Sequence, residues 1–397
     1  SGDAAILRFA RKFDRIRLTP EQFRLSETEI RAAEKSVSPD FKKAARQAAE
    51  NIGRFARAGL RKNWEIRAPG GGRIGERYLP LQRVGLYIPG GASPLASTVL
   101  MTAILARIAG VPERVACTPC SPDGSVNPHL LYALRLAGVR EVYRIGGIAA
   151  IGAMAYGTRS VRAVDKIVGP GGPYVTAAKR QVYGKVALDL VAGPSEIAIW
   201  ADDTAHPQWI AEDLLSQAEH GTGRERALLS TTSTALARAV QKELSMRAAV
   251  HPRGDCVRRV IGSRTLLVVS RTSEAAADMI NRFAPEHLEI ITRSPRRDAQ
   301  RIRHAGAIFL GRWSPESVGD FAAGPSHVLP TGGTARFFGG LTVEDFRRRT
   351  SLIEMSRAGL RHVRPVVDAF SRVEDLPSHG RSVSLRFESE LSPPRAD

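Results

Sequence analysis

The sequence predicts an α/β protein in which two parallel-sheet units precede a smaller, helical C-terminal segment. Short apolar runs alternate with stretches of helical periodicity from residue 84 to residue 310. Glycine-rich turns close several of those runs, as strand-to-helix connections do. Beyond residue 340 the alternation stops and helical spacing takes over.

Residues 3–60 read as helices. Ala4, Ile6, Leu7, Phe9 and Phe13 recur at helical spacing, and Ser26-Glu27-Thr28-Glu29 opens a further helix with Ala44, Ala48 and Ile52 beyond it. Residues 64–82 are glycine-rich and polar, a loop or hairpin. The run Val84-Gly85-Leu86-Tyr87-Ile88 is closed by Pro89-Gly90-Gly91, and a helix follows over Ser97–Ala109. Strands at Arg114–Thr118, Glu141–Ile145 and Lys166–Val168 alternate with helices at Pro128–Leu136 and Ala149–Tyr156. Gly146-Gly147 and Gly169-Pro170-Gly171-Gly172 supply the turns. The alternation repeats with strands at Glu196–Trp200, Ala227–Ser230, Thr265–Ser270, Leu288–Thr292 and Ala307–Leu310. The two halves share no sequence repeat. Helical spacing then dominates Val343–Leu360 and Pro365–Phe370, and the chain ends in a polar, proline-containing tail.

At ~150 residues per domain, 397 residues make two or three domains. A hydrophobic content of 43% supplies a sizeable core. Lys and Arg number 58 against 40 Asp and Glu, a formal charge of +18. The basic residues are spread thinly, with Arg347-Arg348-Arg349 the densest cluster, and no aromatics interleave as a base-stacking platform. Nucleic acid is therefore not the expected partner; the charge reads as that of an arginine-rich soluble protein, or of one that attracts anionic small molecules. Three cysteines make no disulfide framework, and Cys117-Thr118-Pro119-Cys120 is a single pair that reads as two thiols at a strand end. No apolar run reaches the ~18 residues of a membrane span. Ser1-Gly2-Asp3 opens directly onto a helical pattern with no signal peptide, which reads as a shortened N-terminus and a cytoplasmic protein.

Four distant segments carry ligand and proton-transfer residues. Gln217 and His220, three apart at the end of an apolar helical run, project from one face. Glu286 and His287 are adjacent after Pro285; Asp320 and His327 flank a Gly-Pro turn; Glu374 and His379 lie near the C-terminus. Together they make an N/O donor set with a neighbouring acid and imidazole, the components of a metal-assisted active site. Separately each has a plainer reading. Glu286-His287 reads equally as two solvated residues at a helix end, and Glu374 and His379 as a solvated tail. The glycine-rich turns match neither G-x-G-x-x-G with its acidic residue nor a phosphate loop ending in Gly-Lys.

Five blocks in order resemble histidinol dehydrogenase. They are Val84–Gly91, Ala192–Glu196, Asp213–His220, Ala284–Glu289 and Gly319–Pro330, and the likeness runs from about Gly2 to Arg386. The resemblance implies two incomplete Rossmann-like parallel-sheet domains plus a small helical C-terminal tail domain. Residues 1–86 with 196–340 would form a discontinuous first α/β domain, 87–195 the second, and 341–397 a tail that crosses to the partner in a homodimer. It implies one zinc per subunit on Gln217, His220, Asp320 and His379. It implies proton transfer by Glu286 and His287, substrate contacts from Ser97, Ser195, His327 and Glu374, and a cofactor contact from Tyr87. The implied reaction is a two-step, NAD-dependent oxidation of L-histidinol to L-histidine through a bound aldehyde. The metal grips the substrate's amine and imidazole, His287 takes the alcohol proton, and Glu286 activates water for the second step.

Two cofactor contacts of the family are replaced, a Gln by Ala149 and an Asn by Gly172. Each lost amide removes about 1 kcal/mol of net hydrogen bonding, roughly fivefold in affinity if nothing compensates. The competing readings are thus a sister dehydrogenase acting on another small polar alcohol, such as a sulfopropanediol, and a member that binds metal and ligand without efficient NAD use. Residues 331–350 are closer to the histidinol type.

Overall fold

The computed structural model describes residues 2–90, 94–191 and 193–388. Gly91 and Ala192, which belong to two of the motif blocks, and the tail beyond Glu388 lie outside the described residues. The strands in chain order are β1 (Trp64–Arg67), β2 (Gly72–Pro80), β3 (Arg83–Tyr87), β4 (Glu113–Cys117), β5 (Glu141–Tyr143), β6 (Lys166–Val168), β7 (Ala187–Leu188), β8 (Glu196–Ala201), β9 (Arg226–Thr231), β10 (Thr265–Val269), β11 (His287–Ile291), β12 (Ala307–Leu310) and β13 (Arg347–Met355).

Two five-stranded sheets are wholly parallel. Their orders are β5-β4-β3-β6-β7 and β10-β9-β8-β11-β12. Helices cover both faces of a parallel sheet, so its central strands read as continuous apolar runs. Every residue of β3, β8 and β11 is buried. In each sheet the earliest strand is central. The chain builds outward on one side and then returns to the other, which leaves a topological switch point between β3 and β6 and another between β8 and β11. At the first, Gly169 has φ 114°, and a Cβ there would collide with the Tyr87 carbonyl, so only glycine closes this turn.

Residues 2–60 and 81–346 pack as one unit. Its N-terminal helices are built by sequence-local signals. Ser26 and Glu29 form a reciprocal capping box at the start of Glu27–Lys35, and Ser38 caps Pro39–Ala58. Their inner residues Ile30, Ala45, Ala49 and Ile52 share a core with Val99, Leu100, Leu130 and Leu134. The helix Ala96–Ile108 is apolar on nearly all sides because it is packed on every side. Leu25 N–H donates to Val142 O at 2.9 Å and Arg144 N–H to Phe23 O at 2.8 Å.

This differs from the expected grouping of 1–86 with 196–340. The N-terminal helices find their apolar complement on the helices flanking the first sheet. β3 also belongs whole to that sheet, so the expected boundary at residue 87 would cut its central strand.

Residues 61–80 and 347–388 form a second unit. The helix expected over Val343–Leu360 is not formed. Val343–Phe346 is a short 3₁₀ turn, and Arg347–Met355 is a nine-residue strand paired antiparallel with β2, which also pairs with β1. Nine ladder pairs outweigh the local helical spacing. The helix starts at Arg357, capped by Ser356, and a second follows at Pro377–Glu388.

Candidate active site

Ligands of open α/β sheets ordinarily sit beyond the C-terminal ends of the strands, at the switch point. In the second sheet the residues at that end bond to one another. Arg293 N–H donates to the Asp202 carboxylate at 2.8 Å, its guanidinium meets Asp203 at 3.1 Å, and Thr292 donates to Asp298 at 2.6 Å. The reactive residues collect at the opposite edge, where β8 and β11 begin at Glu196 and His287.

Ala284, left-handed at φ 52°, ends the helix Ser273–Phe283 and turns Pro285-Glu286 into this edge. Glu286 and His287 are only 5% and 3% exposed, so the solvated reading does not apply. The Glu196 amide donates to Glu286 Oε2 at 3.0 Å. Nδ1 of His287 lies 3.2 Å from the Glu196 carbonyl. A carbonyl only accepts, so the proton sits on Nδ1 and Nε2 keeps its lone pair. That Nε2 is buried with no hydrogen-bond partner, 3.7 Å from Asp320 and 3.9 Å from Glu316. Burial lowers the His287 pKa to about 3 and raises that of Glu286 well above the usual carboxylate range, so the imidazole is neutral and the carboxylate a stronger base than usual.

Beside His287 lies the candidate metal cluster. Ligand atoms of His220, Glu316 and Asp320 fall within 4.8 Å of one another. Gln217, at the end of the helix Pro207–Ala218, is fully buried, and its amide nitrogen is 3.3 Å from His220 Nδ1. Gln217 Oε1 and Glu316 Oε1 are buried acceptors without partners. Burial raises the pKa of both Glu316 and Asp320, and Asp320 raises that of Glu316 further. Partnerless buried acceptors and crowded carboxyls are costly unless a cation offsets them. Imidazole, amide and carboxylate donors suit zinc or a neighbouring divalent ion. The residues present fit the expected metal.

His327 is held from both sides. Its Nδ1 lies 3.2 Å from the Asp320 carbonyl and its Nε2 3.2 Å from Thr98 Oγ1. Ser97, in the first turn of Ala96–Ile108, and Ser195, just before β8, are both half-buried. A cavity of about 280 Å³ runs from His287 past Phe309 and Asp320 to His327. Tyr87 ends β3 at the first switch point, 6% exposed, and its hydroxyl accepts from Gly147 N–H at 3.2 Å. Ala149 is half-buried, while Gly172 is exposed with open space around its Cα. Glu374 and His379 belong to the second unit, where they line a cavity of about 280 Å³ with Val366 and Phe370. The first unit thus gathers Gln217, His220, Asp320, Glu286, His287 and His327, and the second pairs Glu374 with His379.

Four residues escaped the sequence reading. Glu316 joins the metal cluster, and its position four before Asp320 on Glu316–Phe321 was the available signal. Ser216 donates to Glu316 at 3.2 Å, and Thr98 orients His327. Glu196, quoted only as part of a motif, holds both Glu286 and His287 through its backbone.

A sequence profile of the family described as histidinol dehydrogenase matches residues 1–387. The histidinol dehydrogenase of Moorella thermoacetica is 46% identical over 387 residues, covering 98% of this chain and 91% of its own. That of Heliobacterium mobile is 44% identical over 387 residues, covering 98% and 90%. The crystal structure of histidinol dehydrogenase from Elizabethkingia anophelis superposes with a TM-score of 0.94 at 36% identity, covering 98% of this chain and 89% of that one.

Proposed function

Because the chain belongs to the histidinol dehydrogenase family, we propose that it oxidises L-histidinol to L-histidine in two NAD-linked steps through a bound aldehyde. It does so as a zinc-containing homodimer in a reducing cytoplasm. The state of His287 carries this proposal: a neutral, buried imidazole whose free Nε2 faces the metal cluster is a proton acceptor looking for an acidic hydrogen.

Gln217, His220 and Asp320 hold the cation, with Glu316 beside them. When bound, it supplies an anchor for the amine and imidazole nitrogens of the substrate, and NAD supplies the hydride acceptor. His287 Nε2 takes the carbinol proton as the carbinol carbon gives up its hydride. The first oxidation then leaves an aldehyde. Glu286 withdraws a proton from the water that adds to that aldehyde, and a second hydride leaves to a second NAD. Burial of both residues excludes bulk water, so the aldehyde is kept from escaping or side reactions. Ser97, Ser195 and His327 line the substrate's path, and Tyr87 bears on the cofactor at the first switch point. Glu374 and His379 act in the site of the partner subunit, which would explain why they sit together on the unit that carries the chain's end.

Purified protein loaded with zinc and given histidinol is expected to reduce two NAD for each histidine formed. A screen across other small polar alcohols decides between readings. Turnover of a sulfonated diol without turnover of histidinol would assign the sister reaction. No reduction of millimolar NAD by any alcohol would leave a metal- and ligand-binding protein.

A further inference from the structure

Beyond the turn that closes β6, a cavity of about 640 Å³ opens along the start of the helix Pro173–Val182. Arg180 and Arg224 line it from separate segments, and Thr176, Thr222 and Thr331 add hydroxyls. No acidic residue lines it. Both side chains are exposed, and among the described residues neither guanidinium has an ion-pair or side-chain hydrogen-bond partner. Two guanidinium groups without protein partners on one acid-free cavity can both pair with a bridging dianion.

We propose that Arg180 and Arg224 clamp the pyrophosphate of the nicotinamide dinucleotide. The inference rests on the NAD-linked reading above and extends it to the phosphates. Position selects the dinucleotide over a stray anion. The cavity includes Gly172, at the C-terminal edge of the first sheet beside the β3/β6 switch point that Tyr87 closes. Its far wall is tied to the proton-transfer pair. Gly193 N–H donates to Thr331, Gly332 N–H donates to the Glu196 carboxylate at 3.1 Å, and Glu196 holds Glu286. A dinucleotide with its phosphates here spans the distance from the first sheet's switch point toward the catalytic edge of the second. Charge then replaces part of the binding that Ala149 and Gly172 no longer give.

The test uses full-length, zinc-loaded protein and the variants Arg180→Gln, Arg224→Gln and the pair together. Each single change is expected to raise the KM for NAD about tenfold and the pair about a hundredfold, since a charged hydrogen bond is lost each time. The kcat and the KM for histidinol are expected to stay within about twofold. Arg→Lys should recover only part of the loss, because an ammonium does not bind bidentately. Should the wild type fail to turn over, calorimetric binding of ADP-ribose still reads the clamp separately from the reaction. ADP-ribose held equally by wild type and double variant overturns the proposal. So does inorganic phosphate binding as tightly as ADP-ribose, which would mark a general anion site.

Discussion

The backbone amide of Glu196 donates to the carboxylate of Glu286 at 3.0 Å, and the carbonyl of the same residue takes Nδ1 of His287 at 3.2 Å. The backbone of one residue at the start of β8 therefore fixes the acid and the tautomer of the imidazole at the start of β11. The Glu196 side chain is itself anchored by Gly332 N–H at 3.1 Å and Arg226 at 3.5 Å. Sheet pairing, rather than a dedicated loop, aligns Glu286 and His287, and strand positions are more rigid than loop positions.

His287→Asn removes the basic nitrogen while leaving a polar side chain in the strand. The kcat for NAD reduction with histidinol should fall by about 10²–10⁴, the usual worth of a positioned base. Glu286→Gln keeps an acceptor for the Glu196 amide and removes the charge. It should spare the first oxidation, so one NADH forms per enzyme in a single-turnover experiment while steady-state histidine production falls. Equal loss of both steps would contradict the division of labour.

Asp320→Asn takes a charge from the candidate metal cluster without changing its shape. Zinc content by elemental analysis should fall, and chelator should lower the melting temperature of the wild type much more than that of the variant. An ion that binds only the folded state stabilises by about 2.7 kcal/mol at a hundredfold excess over its Kd. Glu316→Gln tests the residue that sequence reasoning passed over. If Glu316 contributes to the site, its variant loses zinc as well; if zinc content is untouched, Glu316 only crowds Asp320.

The parallel sheets were legible because a strand covered on both faces is a local apolar run, as in β3, β8 and β11. β13 was not, because its ladder partners lie far back in the chain, as with Arg349 opposite Tyr78, and no window sees that pairing. The docking of the first sixty residues was hidden for the same reason. The candidate site side chains, such as Gln217, His220, Glu286 and His287, stood out by type and spacing. Glu196 acts largely through its peptide group, which every residue has, so its role left no mark in the sequence.

Burial pushes the Glu141 carboxyl up, but hydrogen bonds from Arg83 and Tyr143 outweigh it, and its pKa is lowered on folding. A carboxylate lowered on folding adds stability above its unfolded pKa, and that contribution is lost as pH falls through the folded value. Arg83, 5% exposed, meets Glu141 at 2.5 Å and Glu113 at 2.7 Å. Denaturant titrations should therefore show stability falling as pH drops below about 4, the unfolded range for Glu. Glu141→Gln should cost about 1–3 kcal/mol at pH 7 and flatten that acid slope. A variant with an unchanged slope would assign the acid sensitivity to other carboxyls.

Whether Glu374 and His379 serve their own subunit or its partner can be read from mixed dimers. His287→Asn spoils the core of a site, and His379→Ala spoils what the tail brings. Each homodimer should be inactive. If tails cross, a heterodimer of the two carries one site with both defects and one with neither. Unfolding and refolding an equal mixture gives half heterodimers, so activity should return to about a quarter of wild type in a two-fold symmetric assembly. If each tail closes on its own core, every site in the mixture keeps one defect and no activity returns. The same mixture made with Asp320→Asn in place of His379→Ala joins two core defects, each on its own chain, and should remain inactive under crossing because no core in it is intact. Recovery in that control would mean exchange of core segments and would remove the case for a crossing tail.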